Sequence, residues 1–268
     1  MADYTNYTNK EMQAVTIAKQ IKNGQVVTVG TGLPLIGASV AKRVYAPDCH
    51  IIVESGLMDC SPVEVPRSVG DLRFMAHCGC IWPNVRFVGF EINEYLHKAN
   101  RLIAFIGGAQ IDPYGNVNST SIGDYHHPKT RFTGSGGANG IATYSNTIIM
   151  MQHEKRRFMN KIDYVTSPGW IDGPGGRERL GLPGDVGPQL VVTDKGILKF
   201  DEKTKRMYLA AYYPTSSPED VLENTGFDLD VSKAVELEAP DPAVIKLIRE
   251  EIDPGQAFIQ VPTEAKAL

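Results

Sequence analysis

The strongest constraint in this sequence is an alternation. Short runs that are apolar on both faces alternate with segments of helical periodicity. The run Gln25 to Val29 is Val-rich and has no polar face. Such a strand must be covered on both sides, as in a parallel sheet sandwiched by helices. A helix precedes it. Thr8 can cap, Glu11 closes a capping box, and Ala14, Ile17, Ala18 and Ile21 form one apolar stripe before Asn23-Gly24 ends the segment. After the strand the chain turns through Gly30-Thr31-Gly32-Leu33-Pro34 into a second helix running to about Tyr45. Ile51-Ile52-Val53 reads as the next strand and ends on Glu54.

The pattern continues. Further strands are expected at Leu102 to Ile106, Thr147 to Met151, Asp163 to Val165 and Gln189 to Thr193. Helices are expected near Asn93 to Ala99 and Gly137 to Tyr144. In the C-terminal third, Gly196 to Phe200 and Arg206 to Tyr212 flank a charged turn and read as an antiparallel hairpin. Ser217-Pro218-Glu219-Asp220 starts a helix that Gly226 stops. The expected fold is therefore α/β: an open, mainly parallel sheet covered by helices on both faces, with antiparallel hairpin additions near the C-terminus. No internal repeat or linker divides the chain, so one domain over residues 1–268 is the simplest organisation. The Gly- and Pro-rich stretch from Gly173 to Pro188 reads as an ordered surface loop.

Composition excludes several classes. Lys and Arg number 27 against 31 Asp and Glu, a net charge of −4, which argues against a nucleic-acid binder. The apolar runs are far too short to span a membrane, and the N-terminus lacks the basic and apolar regions of a signal peptide. Four cysteines in 268 residues do not make a disulfide scaffold. The expectation is a soluble, reduced, cytoplasmic protein that binds no nucleic acid and no membrane.

Two features carry candidate chemistry. Glu54 sits where ligands gather in parallel α/β sheets, just beyond the carboxyl end of a strand, and Ser55-Gly56 behind it permits a tight turn. Most strand-end acids are merely solvated, so position alone is a weak argument. The run Gly134-Ser135-Gly136-Gly137 precedes a helix and can present backbone N–H groups to an anion or oxyanion; it can equally be a simple turn. Other patterns fail. Gly30-Thr31-Gly32 has Leu35 where a dinucleotide fingerprint needs glycine, and no P-loop motif occurs. His77-Cys78-Gly79-Cys80 lacks a second cysteine pair, so buried structural thiols are expected rather than a metal site. Gly134-Ser135-Gly136 lacks the flanks of a nucleophile elbow. Lys155-Arg156-Arg157 reads as a solvated charge run.

Taken together, Val29-Gly30-Thr31-Gly32-Leu33-Pro34, Val53-Glu54-Ser55-Gly56, Gly108 to Asn118 and Gly134-Ser135-Gly136-Gly137-Ala138 resemble the β subunit of the family I CoA-transferases, over about residues 25 to 200. Many members carry Asn after the catalytic Glu. Ser55 stands here, as in the glutaconate branch, which serves amino-acid fermentation. The resemblance implies that Glu54 is the catalytic carboxylate and that the chemistry is a ping-pong exchange through a glutamyl-CoA thioester. Gly136 or Gly137, with Gly134 and Ser55 nearby, would supply the oxyanion and CoA contacts. It further implies a glutaconate-like dicarboxylate exchanged against acetyl-CoA, and an α subunit of similar fold assembled as αβ pairs. CoA would be cosubstrate, with no other cofactor and no metal. Two alternatives stand beside it: a CoA-thioester or ring-opening hydrolase subunit on the same scaffold, and a non-catalytic scaffold subunit.

Overall fold

Strands without a polar face need two covering layers, and the chain supplies them. A computed structural model describes residues 3–53, 55–68, 70–81 and 101–261. Fourteen strands are described: β1 (Val26–Val29), β2 (His50–Val53), β3 (Leu57–Met58), β4 (Cys80–Ile81), β5 (Leu102–Gly107), β6 (Gln110–Ile111), β7 (Val117–Asn118), β8 (Ser121–Ile122), β9 (Thr130–Arg131), β10 (Thr147–Met151), β11 (Pro188–Thr193), β12 (Gly196–Phe200), β13 (Met207–Tyr212) and β14 (Val235–Glu236). Ten of them form one sheet in the order β14-β13-β12-β11-β10-β5-β1-β2-β3-β4. The central strands β2, β1, β5, β10 and β11 are parallel. Antiparallel pairs extend both flanks: β12 and β13 on one side, β3 and β4 on the other. The C-terminal hairpin read from sequence is β12–β13.

The described helices are α1 (Asn9–Ala18), α2 (Leu33–Val40, continued by a wider turn to Tyr45), α3 (Leu72–Ala76), α4 (Ala138–Tyr144), α5 (Gly176–Arg179), α6 (Pro218–Glu223) and α7 (Pro242–Leu247, continued to Ile252). The capping box at Thr8 and Glu11 is formed. Glu11 is fully buried, and Arg249 approaches its carboxylate at 2.6 Å, tying the first helix to the end of the chain. Gly37 allows the close approach of α1 and α2: a β-carbon there would lie 2.6 Å from Ile17 Cγ2.

Side-chain alternation fills both faces. Ile148 joins a cluster with α1 and α2, while its neighbour Ile149 joins a second cluster with Ile111, Phe158 and Ala142 of α4. Val192 and Val191 divide in the same way.

Two readings need correction. Asp163 to Val165 is not a strand. Asp163 instead accepts hydrogen bonds from Gln110 Nε2 at 2.8 Å and from the Gly123 N–H at 2.9 Å, anchoring a loop whose Tyr164 and Val165 face solvent. The thiols are not uniformly buried either, since Cys78 is half-buried and Cys80 exposed. The helix expected near Asn93 to Ala99 lies outside the described residues. The loop from Gly173 to Pro188 holds one helical turn, α5.

The second cluster encloses His153. Its ring stacks on Phe158 at 4.0 Å, and its nitrogens meet the hydroxyls of Thr193 and Thr225. Burial, aided by Lys195, pulls its pKa down to about 3. The folded state therefore refuses a proton that the unfolded chain accepts below about pH 6.5. Stability should fall as pH drops from about 6.5 towards 3, at up to about 1.4 kcal/mol per pH unit from this residue. Urea midpoints measured from pH 7 to 4 should show a shallower acid slope for His153→Gln. An unchanged slope would mean that other groups govern acid sensitivity.

Candidate active site

Ligands of parallel α/β sheets bind beyond the carboxyl ends, where successive connections leave in opposite directions. Here β1 connects to β2 on one side, and β5 flanks β1 on the other, so the switch lies between β1 and β5. The register pairs Val29 with Val53. The Gly30 turn and the turn after β2 therefore leave the same edge side by side. Gly32 adopts φ 98°, a conformation open to glycine, and Leu33 and Pro34 then start α2.

The turn after β2 is closed by the Gly56 N–H donating to the Val53 carbonyl at 3.0 Å, with Gly56 at φ 89°. Ser55 is exposed within it. Glu54 lies outside the described residues.

The glycine run precedes α4. Gly134 and Gly136 adopt φ 95° and 51°, and a β-carbon at either would meet no atom within 4 Å. Glycine is needed here for backbone conformation, and the space above the loop is open. Gly137 is the N-cap of α4 in ordinary helical geometry, and no side chain caps that helix start. Because α4 leads into the amino end of β10 and packs against β5, its N-terminus points back toward the carboxyl edge.

A cavity of about 620 Å³ opens on this edge. Gly30 and Thr31, Phe105 to Gly107, and Met150 to Gln152 line it, together with Lys10, Gln13 and Asp194. Phe258 walls it from the C-terminal segment. Asp253 fixes that segment: its buried carboxylate accepts the N–H groups of Ala257, Phe258 and Ile259 at 2.7 to 3.1 Å. No residue of the glycine run lines this cavity. Sequence reading missed Phe258 and Asp253. Asp253-Pro254-Gly255 does signal a turn, but nothing in it says what the turn covers.

Lys155-Arg156-Arg157 behaves as a solvated run, with Arg156 and Arg157 both paired to Glu154. Among the described residues, no cluster of three or more His, Cys, Asp or Glu side chains could hold a metal ion. None of the described helices is long and apolar enough to cross a membrane.

The sheet thus carries a glycine turn after β1, an acid next in sequence after β2 and a glycine run ahead of the helix entering β10. The Coenzyme A transferase family profile matches residues 10–224, and the chain belongs to that family. It is 35% identical over 246 residues to the B-subunit of the 3-oxoadipate CoA-transferase of Pseudomonas knackmussii, covering 91% of this chain and 92% of that one. It is 25% identical over 257 residues to the cholesterol ring-cleaving hydrolase IpdB subunit of Mycobacterium tuberculosis, covering 92% and 95%. Among solved structures, the decarboxylase AibA/AibB superposes with a TM-score of 0.76 at 22% identity, over 93% of this chain and 96% of that one.

Proposed function

We propose that this chain is a single-domain β subunit of a CoA-transferase that exchanges CoA between two carboxylic acids. It works with an α subunit that completes the site, and Glu54 is the nucleophile. The observation that carries this reading is the register of β1 and β2. Val53 stands beside Val29 at the edge where the cavity opens, and Glu54 is the next residue in the chain. The 35% identity to the B-subunit of a CoA-transferase, over nearly the whole of both chains, supports the pairing with an α subunit.

The reaction follows from carboxylate chemistry. The Glu54 carboxylate attacks the thioester carbonyl of an acyl-CoA and expels CoA thiolate, forming a mixed anhydride. The thiolate then attacks the Glu54 carbonyl, releasing the first acid and leaving a glutamyl-CoA thioester. A second acid reverses these steps and departs as the new acyl-CoA. No redox change occurs, and CoA is cosubstrate rather than cofactor. The carboxylate is a weak nucleophile, so binding energy from the distant CoA must be used at the reacting carbonyl. The oxyanions of both tetrahedral steps need fixed N–H donors. The glycine run from Gly134 to Gly137, at the uncapped start of α4, provides them in this reading.

The acyl partner is a dicarboxylate in this proposal. Ser55 points to the glutaconate branch, whereas the relative in Pseudomonas knackmussii is named for 3-oxoadipate. The test is transfer from acetyl-CoA and succinyl-CoA to glutaconate and to 3-oxoadipate by the αβ complex. Preference for 3-oxoadipate with succinyl-CoA would move the chain out of the glutaconate branch. Likeness to IpdB favours one competing reading, a hydrolase. A thioester hydrolase would release CoA without any acceptor acid, and a ring-opening hydrolase would consume a CoA-linked ring without one and without CoA release, whereas a transferase needs the acceptor.

The two glycines separate in a simple experiment. Gly137 has φ −77°, so Gly137→Ala fits its backbone, but Gly136 at φ 51° does not accept alanine freely. Gly136→Ala should cost about 1 kcal/mol of stability. It should also lower kcat on the order of tenfold with KM nearly unchanged, because a displaced N–H weakens only the transition-state contact. Equal kcat losses in both variants would assign the donor role to the helix start as a whole.

A further inference from the structure

The cysteines are not absorbed by the transferase chemistry, and the edge hairpin arranges them specifically. Leu57 pairs with Ile81 and Met58 with Cys80 across β3 and β4. The pairing continues beyond the strands. A methyl group on Gly79 would lie 3.2 Å from the Asp59 β-carbon, and the Ser61 N–H donates to the His77 carbonyl at 2.7 Å. Counting onward from Met58 and Cys80 and back from Ser61 and His77 gives the same register. Cys60 therefore faces Cys78.

The Ser61-to-His77 bond lies on one side of this pair; on the other, the Gly79 N–H donates to the Met58 carbonyl at 2.9 Å and Asp59 adopts φ 53°, so the chain kinks just before Cys60. Opposed α-carbons of antiparallel pairs lie about 4.5 to 5.5 Å apart. A disulfide requires α-carbons roughly 4.4 to 6.8 Å apart. Proximity has a second sign. Burial pushes the Cys60 thiol up to about 12, and the Cys78 thiol is the next largest contributor in the same direction. Accessibility is divided. Cys60 is fully buried, Cys78 half-buried and Cys80 exposed, so an oxidant reaches Cys78 while Cys60 stays shielded.

We propose that Cys60 and Cys78 form a reversible disulfide, a redox modification site that staples the segment after β3 to the segment before β4. A hydroperoxide supplies the oxidising power. The Cys78 sulfur attacks the peroxide, the O–O bond breaks, and Cys78 becomes a sulfenic acid with release of water or an alcohol. The Cys60 sulfur then attacks the Cys78 sulfur, forming the S–S bond. Hydroxide leaves and takes up the Cys60 proton as water. Cross-strand placement offsets the poor nucleophilicity of a buried thiol by holding it against its target. Cys80 pairs with Met58 rather than with a cysteine, and Cys49 precedes β2 outside the β3–β4 pairing.

The staple depends on the hairpin register alone, so its failure leaves the transferase reading untouched. The test treats the full-length chain with hydrogen peroxide, then unfolds it in denaturant with N-ethylmaleimide, followed by digestion and mass spectrometry. The expected product is about 2 Da lighter before labelling, has two fewer alkylated thiols, yields a linked Cys60–Cys78 peptide and reverts with dithiothreitol. Cys80→Ser and Cys49→Ser should keep the link, and Cys78→Ser should abolish it. Cys60→Ala, with a buried apolar replacement, should also abolish it and leave Cys78 trapped as the sulfenic acid. A Cys78–Cys80 link, or over-oxidation of Cys78 with Cys60 still alkylatable, would overturn the proposal.

Discussion

Glu54→Gln should reduce CoA transfer by at least about a thousandfold while the αβ complex assembles normally. The carboxamide has the shape of the carboxylate but cannot expel CoA thiolate to form an anhydride. The loss should therefore fall on kcat rather than on KM for acyl-CoA. Glu54→Asp retracts the nucleophile by about 1 Å and should cost on the order of a hundredfold. Incubating the wild-type complex with acyl-CoA and then borohydride should reduce the glutamyl thioester and leave a modified Glu54 peptide. The Gln variant should leave none. Three results separate the readings. Full transfer in Glu54→Gln would refute the nucleophilic role, and activity surviving Glu54→Ala would make the chain a scaffold. Acceptor-independent CoA release by the wild type would make it a hydrolase.

Much of the frame is legible from local pattern, and for local reasons. Thr8 and Glu11 lie three residues apart, so their reciprocal bonds can be read directly from sequence. Likewise Ile51-Ile52-Val53 is apolar on both faces because clusters on both sides of the sheet claim it or its neighbours. What local pattern does not give depends on distant partners. Asp163 to Val165 has strand-like composition, but the Asp163 carboxylate is drawn to Gln110 and Gly123, and the ladder never forms. The proposed pairing of Cys60 with Cys78 depends on the β3–β4 register across seventeen intervening residues, which no spacing rule gives. The candidate site divides in the same way. Glu54 and the glycine run are short, contiguous motifs and could be named. Phe258 lies more than two hundred residues from the Gly32 turn it packs near, held there by an Asp253 whose partners are backbone groups. Backbone donors and acceptors have no letter in the sequence.

Arg177 shows that principle at its strongest, and Arg177→Met should destabilise the protein by about 4 kcal/mol, a fall in Tm of roughly 8 °C. Its side chain is 1% exposed. It donates to five carbonyls: Pro183 at 2.7 Å, Gly169 at 3.0 Å, Pro168 at 3.3 Å, Thr143 at 2.7 Å and Ala142 at 3.2 Å. Burial lowers its pKa to about 10, which still leaves it charged at neutral pH. Two of these acceptors belong to the last turn of α4, where a cation also complements the helix dipole. The same residue thus ties the loop at Pro168 and Gly169 to the helix that begins at the glycine run. Methionine fills much of the volume but leaves two buried and three half-buried acceptors without this donor, each buried one costing about 1 to 3 kcal/mol if it finds no water. Lysine should rescue little, because one ammonium cannot reproduce a planar fork reaching three segments at once. Because α4 loses its C-terminal anchor, kcat should fall in Arg177→Lys even at temperatures where the variant is fully folded. A Tm within about 1 °C of wild type for Arg177→Met would show that the carbonyls find other partners and that the buried guanidinium is not what holds α4 in place.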